Sequence, residues 1–225
     1  MRKSGFDRFL TVFLSILVVG IIGLSVFLVY KYYQKYNINK DANEFIEDTF
    51  DEELAKRKQK IDDTHDQEDE DEASKEQNAG GIRGIDTDAL TYKNYVVAGK
   101  IEMPTVNLQY PVLDYLTDMD QIEVSVAMLY GVGLNNVGNT VIIGHNYRNG
   151  LFFGSNKNLK LGDTIYITDW ETGNRRPYTI YNKYTTEEAD STYMQRDTEG
   201  RREVTLVTCQ GDNRYRLVIY AKEQE

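Results

Sequence analysis

The sequence predicts an all-β domain that follows a single membrane-spanning helix and an acidic linker. From about Tyr92 onward, Tyr, Val, Ile and Thr dominate, and short runs of them are separated by turn-forming residues. This run of about 130 residues has the length of one closed barrel or sandwich. Near the N-terminus, the segment from Phe9 to Tyr30 contains no charged residue. The chain therefore divides into an anchor, a linker and one folded domain.

The uncharged segment is predicted to be a transmembrane helix over residues 9–30. Its 22 residues would form a helix roughly 33 Å long, which is enough to cross a hydrocarbon core of about 30 Å. No small-residue cleavage site follows it, so we expect an uncleaved anchor. Three basic residues lie on each side of the span, and the short basic segment 1–8 favours a cytoplasmic N-terminus only weakly.

Residues 31–91 are expected to form a juxtamembrane helix and then an acidic, disordered linker. Ile46, Phe50 and Leu54 recur at intervals of four residues, which is typical of one helix face. Residues 41–78 contain 16 acidic and 5 basic side chains, so their net charge is −11, while that of the whole chain is −10. The rest of the chain is therefore close to neutral. It has no basic face or RNA-binding signature, which argues against nucleic acid as a partner.

The domain from residue 92 to 225 is predicted to consist of short strands. The two prolines inside this part of the pattern, Pro104 and Pro111, should lie at strand edges or turns, because proline lacks the ladder donor. The segment 117–131 is expected to add a short helix. The predicted strands are NYVVAGKIEM, LQYPVLDY, GNTVIIG, DTIYITDW, RPYTIYNKYT, REVTLVT and YRLVIYAKE.

The residue that points to chemistry is Cys209, which is the only cysteine in the chain. A thiol is a nucleophile only as thiolate, so a catalytic cysteine needs a base or a positive neighbour. Of the two histidines, His65 lies in the acidic segment, which leaves His145 as the one imidazole of the domain. A buried structural cysteine and a solvent-facing histidine are the alternatives that apply if the two residues are not brought together.

The positions of these residues predict a shared site. Cys209 ends one predicted strand and Arg216 opens the next, so a hairpin closed by the six residues 210–215 would place them opposite each other. His145 also ends a strand and should reach the same barrel end. An arginine there favours the thiolate and can donate hydrogen bonds to a developing oxyanion. Arg214 is the rival for this role, and Asn146 is a further possible orienting group.

The sequence resembles the sortases, the membrane-anchored cysteine transpeptidases of Gram-positive bacteria. The motif TLVTC followed by an arginine that opens an apolar strand is similar to the sortase signature. Upstream, GKIEMPTVNLQYPVLDY resembles the first strands of the family, GNTVIIGHNYRNGLFF its histidine motif, and LKLGDTIYI the next strand pair. The resemblance extends over residues 96–221, which is nearly the whole predicted domain.

The resemblance implies a closed eight-stranded sortase-type β-barrel with His145, Cys209 and Arg216 as catalytic residues. Cys209 would attack the Thr–Gly bond of an LPXTG-like sorting signal and form a thioacyl intermediate. His145 would act as general acid and then as general base, and Arg216 would hold the substrate and stabilise the oxyanion. An amino group of a peptidoglycan precursor or of a pilin lysine would resolve the intermediate.

The resemblance also implies location and class. It places the domain outside the cell, with the N-terminus in the cytoplasm and the helix in the cell membrane. Only 27 residues, Pro177 to Glu203, separate the start of one predicted strand from the Cys209 strand, with no evident long helix, which argues against the class with a large helical insertion. A housekeeping or class D-like enzyme is therefore favoured. No cofactor and no metal site is expected, and the sequence leaves a calcium requirement open, because surface carboxylates such as Asp118 and Asp120 fit a solvated role equally well.

Two alternatives remain open from the sequence. The first is another cysteine peptidase with a caspase-like His and Cys pair, since TCQGD partly matches the caspase pattern and His145 lies at a suitable distance upstream. The second is a membrane-anchored extracellular domain that binds a partner without catalysis. Replacing Cys209 by Ala distinguishes a binding domain from a transpeptidase. The binding domain should keep its activity, and the transpeptidase should lose it.

Overall fold

The computed structural model describes residues 5–65, 89–211 and 214–224, in two compact units. The predicted linker residues 66–88 lie outside this description. The first unit, Met1–Lys40, contains most of helix α1 (Gly5–Glu44). Its apolar side chains from Phe9 onward are exposed. Within the described residues, this helical run is the one that is long and apolar enough to cross a membrane. This agrees with the predicted anchor.

The second unit, Asp41–Glu225, contains a closed β-barrel. The helical run continues through a π-helical turn, Phe45–Phe50, into α2 (Asp51–His65), and α3 (Asp120–Val124) lies later in the chain. Short 3₁₀ helices cover Pro104–Val106 and Phe153–Asn158. The strands are β1 (Thr91–Tyr92), β2 (Tyr95–Met103), β3 (Leu108–Leu113), β4 (Val126–Gly131), β5 (Gly138–Ile143), β6 (Thr164–Asp169), β7 (Arg175–Glu187), β8 (Arg202–Gln210) and β9 (Tyr215–Glu223).

Eight of these strands form the barrel wall. The strand order is β2-β3-β4-β5-β8-β9-β7-β6, and pairing of β6 with β2 closes the ring, while β1 adds only a short edge to β2. Most neighbours are antiparallel, but β3–β4 and β5–β8 are parallel. Closure leaves no long unpaired edge on the ring. The closed eight-stranded barrel predicted for the domain is confirmed.

The barrel interior is filled by large apolar side chains, which hold the wall in register. Each such side chain stabilises the fold by about 1.5–3 kcal/mol relative to an exposed position. The sequence supplies them through the β-branched and aromatic residues of the predicted strands. Fully buried members include Ile101, Tyr110, Ile142, Ile165, Leu206 and Ile219.

Two local predictions were wrong in part. The helix expected over 117–131 is limited to α3, and the residues after it form β4, a strand buried along its first half. Pro104 begins a 3₁₀ turn as expected, but Pro111 lies inside β3 and is buried. At Pro111 the strand pairs only with β2, through Lys100, because pairing with β4 begins at Val112. The missing N–H of Pro111 therefore costs the sheet no backbone hydrogen bond.

The predicted amphipathic helix around residue 50 is present and packs on the barrel. Phe50 and Leu54 are buried in one cluster with barrel residues, and the Phe50 ring lies 5.2 Å from that of Trp170. The Lys100 ammonium, which is 10% exposed, lies 2.6 Å from an oxygen of Asp51 on α2. The other members of the cluster are Tyr92, Val97, Leu113, Ile122 and Ala127.

Candidate active site

The hairpin of β8 and β9 places Cys209 directly opposite Arg216. The two residues are paired across the strands, and the pairing continues to Gln210 and Tyr215. Directly opposite residues of an antiparallel pair project from the same face, with Cβ atoms about 4.5–5.5 Å apart. The connection is therefore the four residues 211–214, of which 212 and 213 lie outside the description, rather than the six expected. Cys209 is partly exposed and accessible to a ligand.

The neighbouring strand brings His145 to the same end of the barrel. Strand β5 runs parallel to β8, with Ile143 paired to Val207. Beyond the strand, the Gly144 N–H donates to the Val207 carbonyl at 3.2 Å, and the Thr208 hydroxyl donates to the Gly144 carbonyl at 2.7 Å. The register thus carries His145, one residue later, to the level of Cys209.

Asn146 ties the histidine loop to the cysteine strand. Its side-chain amide donates a 2.6 Å hydrogen bond to the carbonyl of Cys209. The His145 carbonyl in turn accepts from the N–H of Phe153 at 3.0 Å, which fixes the loop on its other side. The sequence leaves Asn146 open as an orienting group, and its side-chain hydrogen bond goes to the backbone of Cys209. It therefore orients the end of β8.

Glu123 is a member of the site that the sequence did not reveal. Its Oε1 lies 3.0 Å from Nε2 of His145. Nε2 of His145 is buried, and its contact with Glu123 is not aligned well enough for a hydrogen bond. The contact is an ion pair when the imidazole is protonated. The other carboxylate oxygen accepts a short hydrogen bond from the hydroxyl of Tyr147, whose ring lies 5.1 Å from that of His145.

Tyr147 remains a hydrogen-bond donor over the physiological pH range. Burial raises the pKa of its phenol to about 12, and the hydrogen bond and charge of Glu123 act in the same direction. The backbone at Tyr147 is held closely, because a Cβ at Gly154 would come within 2.3 Å of the Tyr147 carbonyl oxygen. Glu123, His145 and Tyr147 thus form a compact cluster beside the end of β5.

Arg216, like His145, lies beside a carboxylate. Its Nη2 donates to Oε1 of Glu188 at 2.5 Å, and its Nη1 donates to the Tyr215 carbonyl at 3.2 Å. The Arg216 side chain is only 16% exposed. Arg214 is exposed and lies in the turn, with its guanidinium carbon 6.0 Å from the centre of the Tyr215 ring. Of the two arginines, Arg216 is the one paired with Cys209.

The loop between β7 and β8 forms one wall beside the cysteine. Tyr193 of this loop is buried against Val207 and Val218, on the same face of β8 as Cys209. Burial raises the pKa of the Tyr193 phenol, Arg216 opposes the shift, and Cys209 adds to it. Tyr193 thus lies against the two strands that carry Cys209 and Arg216. The loop therefore borders the site.

Buried polar groups fasten this loop to the barrel. The Arg196 guanidinium donates to Glu203 at 2.8 Å and to Asn139 at 3.1 Å, and it lies 3.7 Å from the centre of the Tyr220 ring. The Asn139 amide donates to the Tyr193 carbonyl at 3.1 Å. The loop is thus held by charged and hydrogen-bonded side chains as well as by apolar packing.

Among the residues described, no group of three or more His, Cys, Asp or Glu side chains is arranged to hold a metal ion. Asp118 is used locally, since one of its carboxylate oxygens accepts from the Tyr95 hydroxyl at 3.2 Å and from the Gln121 N–H at 3.1 Å. It acts as a structural acceptor at the start of α3.

A sortase domain family model matches residues 101–224, which is more than half of the chain. The chain belongs to the sortase family. The match begins in β2 and ends after β9, so it covers nearly the whole barrel wall, including Cys209, Arg216 and His145. Caspase-like peptidases have an α/β fold, whereas the described domain is a closed β-barrel. The caspase-like alternative is therefore wrong.

Solved sortase structures share this fold. Sortase A from Corynebacterium diphtheriae is 26% identical, with a TM-score of 0.53 over 59% of this chain and 62% of that one. Sortase A from Listeria monocytogenes is 23% identical, with a TM-score of 0.52 over 57% of this chain and 88% of that one. Sortase C-1 from Actinomyces oris is 23% identical, with a TM-score of 0.51 over 56% and 71%. Curated protein sequences gave no match.

The structural matches span class A and class C enzymes, so they do not select one class for this sortase. The match covers less than two thirds of the Corynebacterium enzyme. Fold and family are shared with these enzymes.

Proposed function

We propose that this sortase is a cysteine transpeptidase that cleaves an LPXTG-like sorting signal and transfers the acyl part to an amine. The observation that supports it most directly is the pairing of Cys209 with Arg216 at the barrel end that His145 also reaches. These three residues supply a nucleophile, a permanent cation and a proton carrier. Together they provide the groups that acyl transfer requires.

The reaction begins with the Cys209 thiolate. Its sulfur attacks the carbonyl carbon of the threonine in the Thr–Gly bond, and the carbonyl electrons move to oxygen. The Arg216 guanidinium lies opposite and donates hydrogen bonds to this oxyanion. Donors aimed at a developing oxyanion typically accelerate such a step about 10²–10³-fold. The pairing of the two residues in one hairpin places their side chains on the same face of the sheet, at the same level.

His145 then moves the protons. The imidazolium gives a proton to the glycine nitrogen as the C–N bond breaks, which releases the amine and leaves a thioester on Cys209. An incoming amine attacks the thioester carbonyl, loses a proton to the neutral imidazole, and expels the thiolate. Glu123 contacts the ring at Nε2 and positions it beside the cysteine strand. Thiolate and imidazolium are both restored at the end of the cycle.

We further propose the cellular setting that the family resemblance implies. The helix over residues 9–30 anchors the enzyme in the cell membrane, with residues 1–8 in the cytoplasm and the barrel outside. The acceptor amine belongs to a peptidoglycan precursor or to a pilin lysine, and the donor is the sorting signal of a surface protein. The large-insertion class is disfavoured because the β7–β8 connection contains no helix among its described residues.

The test uses the full chain in detergent, incubated with a panel of LPXTG-like peptides and an amine such as triglycine. We expect a thioester adduct on Cys209 by mass spectrometry and a ligated peptide product. Cys209→Ala should give neither. Absence of adduct and product with every peptide would contradict the proposal. If Cys209→Ala still bound a sorting peptide as tightly as the wild type in that case, the non-catalytic binding domain would be the better description.

A further inference from the structure

The feature that carries a further inference is the carboxylate bound to Arg216. Glu188 is the first residue after β7 and contacts the guanidinium that lies opposite Cys209. We propose that Glu188 is a positioning residue that occupies Arg216 in the resting enzyme and is displaced when the peptide carbonyl binds. This inference rests on the proposed function, since it assigns Glu188 a role toward the arginine of that site.

The first argument is the geometry of the guanidinium. Both of its terminal nitrogens are engaged, Nη1 by the carbonyl of Tyr215 and Nη2 by Glu188. The acceptor at Nη2 is a carboxylate, whereas the acceptor at Nη1 is a backbone carbonyl. An ionised acceptor forms a stronger hydrogen bond than a neutral carbonyl. A substrate carbonyl that uses the Nη2 edge must therefore compete with Glu188.

The second argument is exposure, which makes the displacement inexpensive. The Glu188 side chain is 63% exposed, whereas the Arg216 side chain is 16% exposed. Exposed ion pairs change an equilibrium constant by about fivefold or less, because water solvates the released charge. The pair is therefore strong enough to select one orientation of Arg216 and weak enough to yield to a bound peptide.

The third argument concerns which part moves. The Glu188 N–H donates to the Arg214 carbonyl at 2.9 Å, which fixes its backbone to the turn of the β8–β9 hairpin. Two residues later, Asp190 accepts hydrogen bonds from the hydroxyls of Thr186 and Thr192 at 2.5 and 2.6 Å. The start of the loop is thus held on both sides. Release of Arg216 requires only rotation of the Glu188 side chain.

The proposal predicts two effects of Glu188→Gln in the full chain in detergent. Without the competing charge, KM for an LPXTG-like peptide should fall about two- to fivefold while kcat changes less than about twofold. Alkylation of Cys209 by iodoacetamide near neutral pH should accelerate about two- to fivefold. The second effect arises because an unneutralised Arg216 favours the thiolate, which displaces iodide.

Two controls connect the effects to Arg216. Glu187→Gln removes the same charge from the preceding exposed residue and should leave both measurements at the wild-type values. In an Arg216→Gln background, Glu188→Gln should no longer accelerate alkylation. The proposal is wrong if Glu188→Gln behaves like Glu187→Gln, if it raises KM, or if the acceleration persists without Arg216.

The alkylation arm separates this inference from the proposed function. Iodoacetamide reports the state of Cys209 without any sorting peptide. Lack of turnover with all peptides would contradict the transpeptidase proposal, and the alkylation series would still decide whether Glu188 acts on Arg216. Turnover with unchanged alkylation in Glu188→Gln would support the transpeptidase and overturn the role of Glu188.

Discussion

Cys209 is a partly exposed thiol beside two potential cations, and each cation lies next to its own carboxylate. Arg216 contacts Glu188, and His145 contacts Glu123. A protonated His145 would thus be balanced by Glu123, as Arg216 is by Glu188. The two carboxylates reduce the positive potential that the cations exert on the thiolate, so displacement of Glu188 would favour the thiolate.

At the residue scale, the two arginines of the hairpin should differ strongly in their importance. We expect Arg216→Ala to lower kcat/KM about 10²–10³-fold, because it removes donors to the oxyanion. Arg214→Ala should lower it less than about threefold, since an exposed arginine in the turn contributes mainly screened charge. Steady-state kinetics with one ligation peptide measure both. Equal losses would assign the role to the turn as a whole instead of to Arg216.

The sequence predicted the three residues proposed for catalysis but not the two carboxylates beside them. Cys209, His145 and Arg216 each stand at the end or start of a recognisable strand, so hairpin geometry and period-2 alternation indicate where they meet. Glu123 and Glu188 lie in a short helix and a loop, among many other acidic residues. The pairing of β4 with β5 and of β7 with β9 brings these connections to the site, and no local pattern encodes those long-range pairings.

At the element scale, the parallel β5–β8 pair and the antiparallel β8–β9 pair locate the site. Strand β8 lies between β5, which leads into His145, and β9, which carries Arg216. The β5–β8 register therefore sets the position of His145 relative to Cys209, and the β8–β9 register sets that of Arg216. The sequence predicted these three strands well because their apolar runs are bounded by turns. It missed β4 because Val126, Ala127 and Met128 are all buried, and a continuous apolar run does not distinguish a strand from a helix.

The β7–β8 loop should depend on the buried Arg196. Arg196 and Arg201 both contact Glu203, whose side chain is 1% exposed, but the arginines are 15% and 47% exposed. Removing one partner of a buried ion pair typically costs about 3–5 kcal/mol, whereas an exposed partner contributes about 1 kcal/mol or less. We therefore expect Arg196→Met to destabilise the domain far more than Arg201→Met.

Equilibrium urea unfolding of the two variants measures this difference in the free energy of unfolding. Arg196→Met should also raise KM for the peptide, because Tyr193 and the rest of the wall beside Cys209 lose their attachment to the barrel. A similar loss of stability in the two variants would show that Glu203 is held by its other contacts, such as the hydrogen bond from Tyr181 at 2.6 Å.

At the scale of the whole molecule, the compact unit that contains the barrel is larger than the barrel itself. It begins at Asp41, and Ile46, Phe50 and Leu54 of its helical segment are buried. The sequence correctly predicted that these residues share one helix face, and it assigned the folded domain to residues 92–225. The partner surface of the helix could not be predicted, because its residues come from distant points such as Tyr92, Ile122 and Trp170.

Trp170 is the only tryptophan of the chain, and it reports directly on this packing. It is 8% exposed and lies against Phe50, with the Arg57 guanidinium carbon 5.6 Å from the ring centre. Phe50→Ala should shift its fluorescence emission to longer wavelength, because the indole becomes more exposed to water. The same change should lower the free energy of unfolding by about 3–5 kcal/mol, which corresponds to a fall in Tm of roughly 6–20 °C.

Glu47→Ala is the matched control, since Glu47 is exposed on the same helical segment and its replacement should alter neither emission nor Tm. Unchanged emission in Phe50→Ala would contradict the packing of the helix on the barrel. If the packing holds, a chain that begins at residue 81 should already show the red-shifted emission and the lower Tm, while one that begins at residue 41 should match the full chain. Kinetic studies of a soluble form should then use the longer chain, because the barrel alone exposes the apolar cluster that the helix covers.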